Sequence, residues 1–346
     1  MKKILSMAAL ALVMAGCSND DENVKIDNGE ASNAVAIQIS QKVAGVESKA
    51  AITAGSDVLA TILMVDGADN SASNPDFINF TPKTENTLTD PNGNTLANDA
   101  ARATVANTKF KAQGTQSITL TPTLYYPVDG NDSPKKTFIL GVAPQGVVSG
   151  VEVAFPQTDG LQDVMFAEQQ AAGNGKPSAT PVTLEFKHKT TQLTFVAKLK
   201  KADLTGTEWE GKTVGVKSIV IPNAKVPEKL NISTGNVEWV DKEIIVAGCA
   251  EKLSETICKP SVPVMISPST SLIVNIELSV GDKTITYTNL RVKNDSGEDL
   301  ATTVAKSHQI TFEITAPIEA SGATKIGTSA KVIDWTAGDA GKVEIK

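Results

Sequence analysis

Residues Val182 to Leu199, VTLEFKHKTTQLTFVAKL, carry two opposite side-chain parities in one extended run. Leu184, Phe186 and His188 fall on one face of a strand, whereas Leu193, Phe195, Ala197 and Leu199 fall on the other. Side chains along a strand alternate with a period of two, so one regular strand cannot keep both sets inward. The run needs a bulge or a crossover between two sheets. It sits near the middle of a 346-residue chain, with strand signals on both sides. Hydrophobic cores stop growing at roughly 250 to 300 residues, so a chain of this length is expected to divide. The run is therefore read as the seam between two domains, residues 34–182 and 183–346.

Both halves read as short strands separated by turns. Val35, Ile37 and Ile39 alternate with Ala36, Gln38 and Ser40, which predicts a half-buried strand. An apolar run, Val58 to Val65, predicts another, and Asp66 to Asp99 reads as loop from its Asn, Asp, Ser, Gly and Pro content. Ala97 to Asn107 is expected to form a short helix. Strands are expected at Ser117–Tyr125 and Thr137–Val142 around the turn PVDGNDSP, and at Val151–Phe155, with Gln162–Ala172 an excursion before the seam.

Beyond the seam, Val214–Ile221 alternates and Leu230–Val240 reads as a hairpin turning at Thr234, Gly235 and Asn236. A second hairpin joins Ser271–Leu278 to Thr284–Val292 across Gly281 and Asp282. Later strands are expected at Gln309–Ile314, Lys331–Trp335 and Lys342–Lys346. With 41% hydrophobic residues and almost no helical periodicity, the pattern predicts an all-β chain of two tandem β-sandwich domains.

The first sixteen residues read as a processing segment. Lys2 and Lys3 precede an apolar stretch, Ile4 to Met14, too short to span a bilayer, and Ala15, Gly16 and Cys17 form a small-small-Cys junction. This resembles a bacterial lipobox, which implies that residues 1–16 are a lipoprotein signal peptide and that Cys17 is lipidated. Several acyl chains on one cysteine anchor a protein more firmly than a single chain does. Residues 17–33, beginning CSNDDEN, read as an acidic, polar tether. Their acidic start resembles the export signal of surface lipoproteins in Bacteroidales.

Chemistry has little to work with. The net charge of -7 and the lack of a basic run exclude nucleic acid as a partner. The two histidines, His188 and His308, lie far apart, and neither has metal-ligand spacing. His188 shares the face of Leu184 and Phe186, so it reads as a buried, hydrogen-bonded core histidine. GNGKP at Gly173–Pro177 lacks the Ser or Thr of a phosphate loop. Asp90, Asn92 and Asn94 lack the glycine and closing glutamate of a calcium loop. No metal, cofactor or catalytic residue is expected. Cys249 and Cys258 pair as a disulfide or remain two buried small side chains. Trp209, Trp239 and Trp335 are the only material for a sugar-stacking surface.

Taken in order, these pieces resemble the fimbrillin family, the type V pilins and related fimbrial lipoproteins of Bacteroidales. The resemblance runs from the lipobox through Tyr125–Asp129 (YYPVD), Phe138–Pro144, Asp163–Ala167 (DVMFA) and Phe186, His188, Leu193 and Phe195. It continues through the Thr234 and Gly235 hairpin to Asp334 and Trp335. The chain departs from the family at Ala305–His308, where Gly, Lys and an aromatic are common. The resemblance implies transthyretin-like sandwiches and a non-enzymatic subunit of a cell-surface fimbria that acts in adhesion. It also implies assembly by strand exchange, in which a protease removes the first strand and another subunit's C-terminal strand fills the groove.

Mapped onto this chain, the strand removed carries Val35, Ile37 and Ile39, and the donor anchors are Ile333 and Trp335 or Val343 and Ile345. Lys49 followed by Ala50 stands where shaft subunits have an arginine, since no Arg precedes Arg102. The expected partners are other fimbrial subunits and, through the lipid, the outer membrane, with an undefined surface receptor. Two alternatives stay open: a subunit left uncut as a membrane anchor, and a surface lipoprotein that binds glycan through exposed tryptophan.

Overall fold

Strand-forming segments account for nearly all of the architecture in the computed structural model, which describes residues 37–43, 56–66, 77–81, 103–112, 114–124, 126, 136–174, 182–249, 252–318 and 325–333. The first half contains β1 (Ile39–Val43), β2 (Asp57–Asp66), β3 (Ala103–Lys111), β4 (Gln116–Ile118), β5 (Lys136–Ala143), β6 (Val147–Ser149), β7 (Glu152–Ala154), β8 (Met165–Asn174) and β9 (Val182–His188). The second contains β10 (Thr191–Leu199), β11 (Val214–Asn231), β12 (Asn236–Ile245), β13 (Val264–Ile266), β14 (Leu272–Val280), β15 (Lys283–Val292), β16 (Ser307–Thr315) and β17 (Lys325–Ile333). The fold is all-β; a single 3-10 turn, Phe77–Asn79, is the one helical element among the described residues.

The parity switch at the seam is a crossover. Strand β9 belongs to a seven-stranded sheet ordered β3-β2-β5-β8-β9-β1-β4, and β10 to a four-stranded sheet ordered β13-β10-β16-β17. Only Lys189 and Thr190 separate them. The Lys189 amide donates to the Val164 carbonyl just before β8, and the Thr190 carbonyl accepts from Ala305 N just before β16. The link is thus tied to both halves.

The seven-stranded sheet curls until the segment after β4 meets β3. Asn107 and Thr121 exchange two backbone hydrogen bonds of 2.7 and 2.8 Å there. The enclosed core includes Ile37, Ile39, Val58, Ile62, Met64, Phe110, Leu124, Ile139, Leu184 and Phe186. Strands β2 and β5 are buried on both faces. Ile62, Met64 and Ile139 enter this core, while Leu63, Val65, Phe138, Leu140 and Val142 face a second cluster outside the sheet. Burial on two faces explains their continuous apolar runs, where alternation would mark a strand half in water.

The outer cluster is capped by β6, β7 and the β11–β12 hairpin, which contribute Val153, Leu230 and Ile232. Strand β11 runs for 18 residues. It belongs to the third sheet, ordered β15-β14-β11-β7-β6, with β12 on its other side. Register shifts at Ile221/Ala224 and Pro227/Lys229 let it pass Pro222 and Pro227. This sheet and the four-stranded sheet enclose the remaining core, including Phe195, Trp209, Val274, Ile276, Ile310 and Phe312.

Several local expectations change. The described part of the helix expected over Ala97–Asn107 is the start of β3, whose register is dictated by nine residue pairs with β2. The excursion expected at Gln162–Ala172 is β8, placed in the middle of the seven-stranded sheet with Met165 and Ala167 in its core. Val214–Ile221 and the first arm of the next hairpin are one strand, and the late strand starts at Lys325 instead of Lys331. The leading strand is placed at Ile39–Val43, Val35 lying outside the described residues, as does Lys342–Lys346.

Gly141 shows how closely the first core is filled. A Cβ there would lie 2.6 Å from Phe186 Cζ and 2.9 Å from Cε1. Gly141→Ala is expected to destabilise the fold by about 1–3 kcal/mol, measured by urea unfolding, because the ring has nowhere to move in a filled core. Trimming Phe186 to Leu in the same chain is expected to remove most of that penalty; equal penalties in both backgrounds would refute the contact.

Candidate functional site

Strand β1 fills a slot in the seven-stranded sheet. It pairs in parallel with β9, Ile39 to Val43 opposite Val182 to Phe186, and antiparallel with β4, Ile39 to Gln41 opposite Ile118 to Gln116. Just before it, Ile37 N donates to Leu124 O at 2.8 Å. Its inward side chains are Ile37, Ile39, Gln41 and Val43, all buried. Its outward side carries exposed Gln38 and Lys42, with Ser40 Oγ 2.7 Å from Thr183 Oγ1. Lys42 and Glu185 approach to 3.8 Å on the surface, a contact worth little in water. A strand held between two neighbours, with an apolar inner face, can be replaced by another strand of the same pattern.

Gln41 is the exception on that inner face. It has no solvent exposure; its Nε2 donates to the Lys111 carbonyl at 3.0 Å, and its Oε1 has no hydrogen-bond partner. Reading by alternation alone stops at Ile39 and misses Gln41, although it keeps the parity of Ile37, Ile39 and Val43. The Thr183 hydroxyl and the Lys111 carbonyl have no sequence signal, because only strand pairing brings them to β1.

A second polar cluster lies at the seam. His188 Nδ1 sits 3.0 Å from Asp163 Oδ1 and 2.9 Å from Oδ2, and Thr190 Oγ1 donates to Oδ1 at 3.1 Å. The His and Asp side chains are only 1% and 2% exposed, so no substrate reaches them. His188 is a hydrogen-bonded core histidine, and Asp163 is the partner that sequence spacing could not supply.

Other expected residues divide between those described and those not. Ile333 ends β17, paired within the chain to Ser307 of β16. Cys17, Lys49, Ala50, Trp335, Val343 and Ile345 lie outside the described residues. Of the two readings open for Cys249 and Cys258, the structure has the unbonded one, with both as free thiols. Each has its own partner, Cys249 Sγ donating to Val246 O and Cys258 Sγ accepting from Ala197 N, both at 3.1 Å. Burial pushes the Cys249 thiol pKa up, which keeps it protonated and unreactive. Trp209 is 2% exposed and belongs to the second-half core, which removes it as a sugar platform; Trp239 is half-buried. Among the described residues no group of three His, Cys, Asp or Glu side chains is placed to hold a metal ion, and no helix is long and apolar enough to cross a membrane.

A sequence profile described as Fimbrillin-like matches residues 87–335. No curated protein matches the chain. Among solved structures, a candidate cell adhesion protein from Bacteroides uniformis is similar at 20% identity and a TM-score of 0.45, over 87% of this chain and 99% of that one. A second candidate cell adhesion protein, from Bacteroides ovatus, is similar at 15% identity and a TM-score of 0.45, over 88% and 99%. A fimbrial protein from Bacteroides vulgatus is similar at 12% identity and a TM-score of 0.43, over 86% and 99%.

The departure at His308 has a measurable cost. Its ring shares a face with Ile310, Phe312 and Ile314, is 3% exposed, and has no hydrogen-bond partner at either nitrogen. Burial, and then the charge of Lys306, lower its pKa from 6.5 to about 4. The unfolded chain therefore takes up a proton that the folded one refuses. Stability is full above pH 6.5 and falls as pH drops toward 4, by about 3 kcal/mol from this group. Urea midpoints at pH 7 and pH 4 are expected to differ less in His308→Phe than in the wild type; equal differences would refute this.

Proposed function

The chain belongs to the fimbrillin-like family, and from that premise we propose that it is a structural subunit of a cell-surface fimbria that polymerises by strand exchange at the β1 slot. It is exported as a lipoprotein, acylated at Cys17 and carried to the outer membrane, and it acts in adhesion. Its partners are other fimbrial subunits. The observation that carries this reading is β1 itself: a short strand, paired on both edges, whose apolar side chains complete the first core.

Removing β1 leaves the facing edges of β9 and β4 unpaired and opens the core. Burial of an Ile or Val side chain contributes roughly 1.5–3 kcal/mol, so losing Ile37, Ile39 and Val43 forfeits about 5–9 kcal/mol, as much as a whole domain's stability. An empty slot is therefore a strong acceptor for an extended strand, which restores the ladder and the apolar contacts together. Cleavage after Lys49 releases the segment carrying β1, and the tail of another copy enters, anchored by Ile333 and Trp335 or by Val343 and Ile345. The division into sandwiches 34–182 and 183–346 is part of this reading, supported by a separate core on each side of the seam. An uncut, lipid-anchored subunit is the second reading, and Lys49 in place of an arginine favours it.

N-terminal sequencing with intact mass, on protein sheared from cells, tests the proposal. Polymeric material is expected to begin at Ala50. Monomers that all begin at acylated Cys17 would overturn the polymerising reading and leave the anchor.

A further inference from the structure

We propose that Gln41 fixes the register in which β1 occupies its slot, and that the Lys111 carbonyl it bonds favours a hydrogen-bond donor at that position in any strand that takes its place. As a statement about β1 this stands on the geometry; as a statement about an incoming strand it rests on the strand-exchange reading. A strand shifted by one residue turns its apolar face to water and is rejected outright. A shift by two keeps the same face inward, and Ile37, Ile39 and Val43 are too alike in size to oppose it. Gln41 is not interchangeable with them.

In the observed register its Nε2 meets the Lys111 carbonyl at the end of β3. Shifted by two in either direction, the carboxamide would replace Ile39 or Val43 among the aliphatic and aromatic side chains of the first core. It would lose its only bond, and an aliphatic side chain would face the Lys111 carbonyl. A single buried polar residue that specifies alignment at some cost in stability is an established device between helices. Here the cost is visible as the unpartnered Oε1. The Ser40 hydroxyl, 2.7 Å from Thr183 Oγ1, adds a weaker preference on the outer face. The inward side chains of β1 thus run apolar, apolar, hydrogen-bond donor, apolar, with the donor aligned by the Lys111 carbonyl.

Cysteine pairs in the uncut full chain read the register directly. Lys42 lies opposite Glu185, so Lys42→Cys with Glu185→Cys reports the native alignment. Lys42→Cys with Thr183→Cys, or with Lys187→Cys, reports shifts by two. With Gln41 present, only the native pair is expected to form a disulfide on mild oxidation, identified by peptide mass. Gln41→Met, the closest apolar match in shape, is expected to raise the shifted pairs on the order of tenfold or more. Gln41→Leu serves as a second apolar variant should the first misfold. Shifted pairs that stay at background in both variants would overturn the proposal. Scoring polymers from processed wild-type protein separates the two ideas. Shifted pairs without any polymer would support Gln41 as the register residue of β1 and overturn only the exchange reading.

Discussion

The first core stays dry because five residues of β1 close the gap between β9 and β4. Strands β2, β5 and β8 are joined by antiparallel ladders of six and seven residue pairs, β8 meets β9 at only two pairs, and β1 alone bridges β9 and β4. The slot it fills opens onto the first core, which contains Leu184 and Phe186. Phe186 in turn lies over Gly141 and against Phe110, with ring centroids 5.2 Å apart. On the strand-exchange reading proposed above, a subunit missing β1 is incomplete, and its open sheet edge is a binding site for a strand.

The second half is built differently and is not opened by the loss of β1. Its core lies between the four-stranded sheet and the sheet carrying β11, and it contains Trp209 and the stacked pair Phe195 and Phe312. The halves meet through the buried Asp163, His188 and Thr190 cluster at the seam. They meet again where the β11–β12 hairpin covers the outer face of β2 and β5. Lys229 strengthens that cap, pairing with Glu152 at 3.1 Å and Glu238 at 3.3 Å beside the β7–β11 ladder. Loss of β1 would thus open one core and leave the remaining scaffold in place.

Much of this was legible in the sequence, for identifiable reasons. The seam was readable because Leu184, Phe186 and His188 cannot share a face with Leu193 and Phe195, and the crossover is the consequence. Hairpins with Gly235 and Gly281 in their turns were readable because both glycines adopt positive φ, 69° and 55°. Strand β8 was missed because its GlnGln and AlaAlaGly stretches have no strong β propensity; central placement in the sheet overrides it. The length of β11 was hidden by Pro222 and Pro227, which bulges accommodate. Gln41 was missed because a polar residue on an alternating strand reads as the outward face unless its parity is followed through. Asp163 and the Lys111 carbonyl become partners only in three dimensions.

Strand exchange requires β1 to be a replaceable part of the first core. The most direct measurement is to cut purified protein after Lys49 in vitro and follow, by native mass spectrometry, whether the released segment carrying Ile37 to Val43 stays bound. Under strand exchange it leaves as subunits join, so that each polymer contact coincides with one lost segment. A cut protein that retains the segment and remains monomeric, or polymers in which every subunit still holds its own β1, would contradict it.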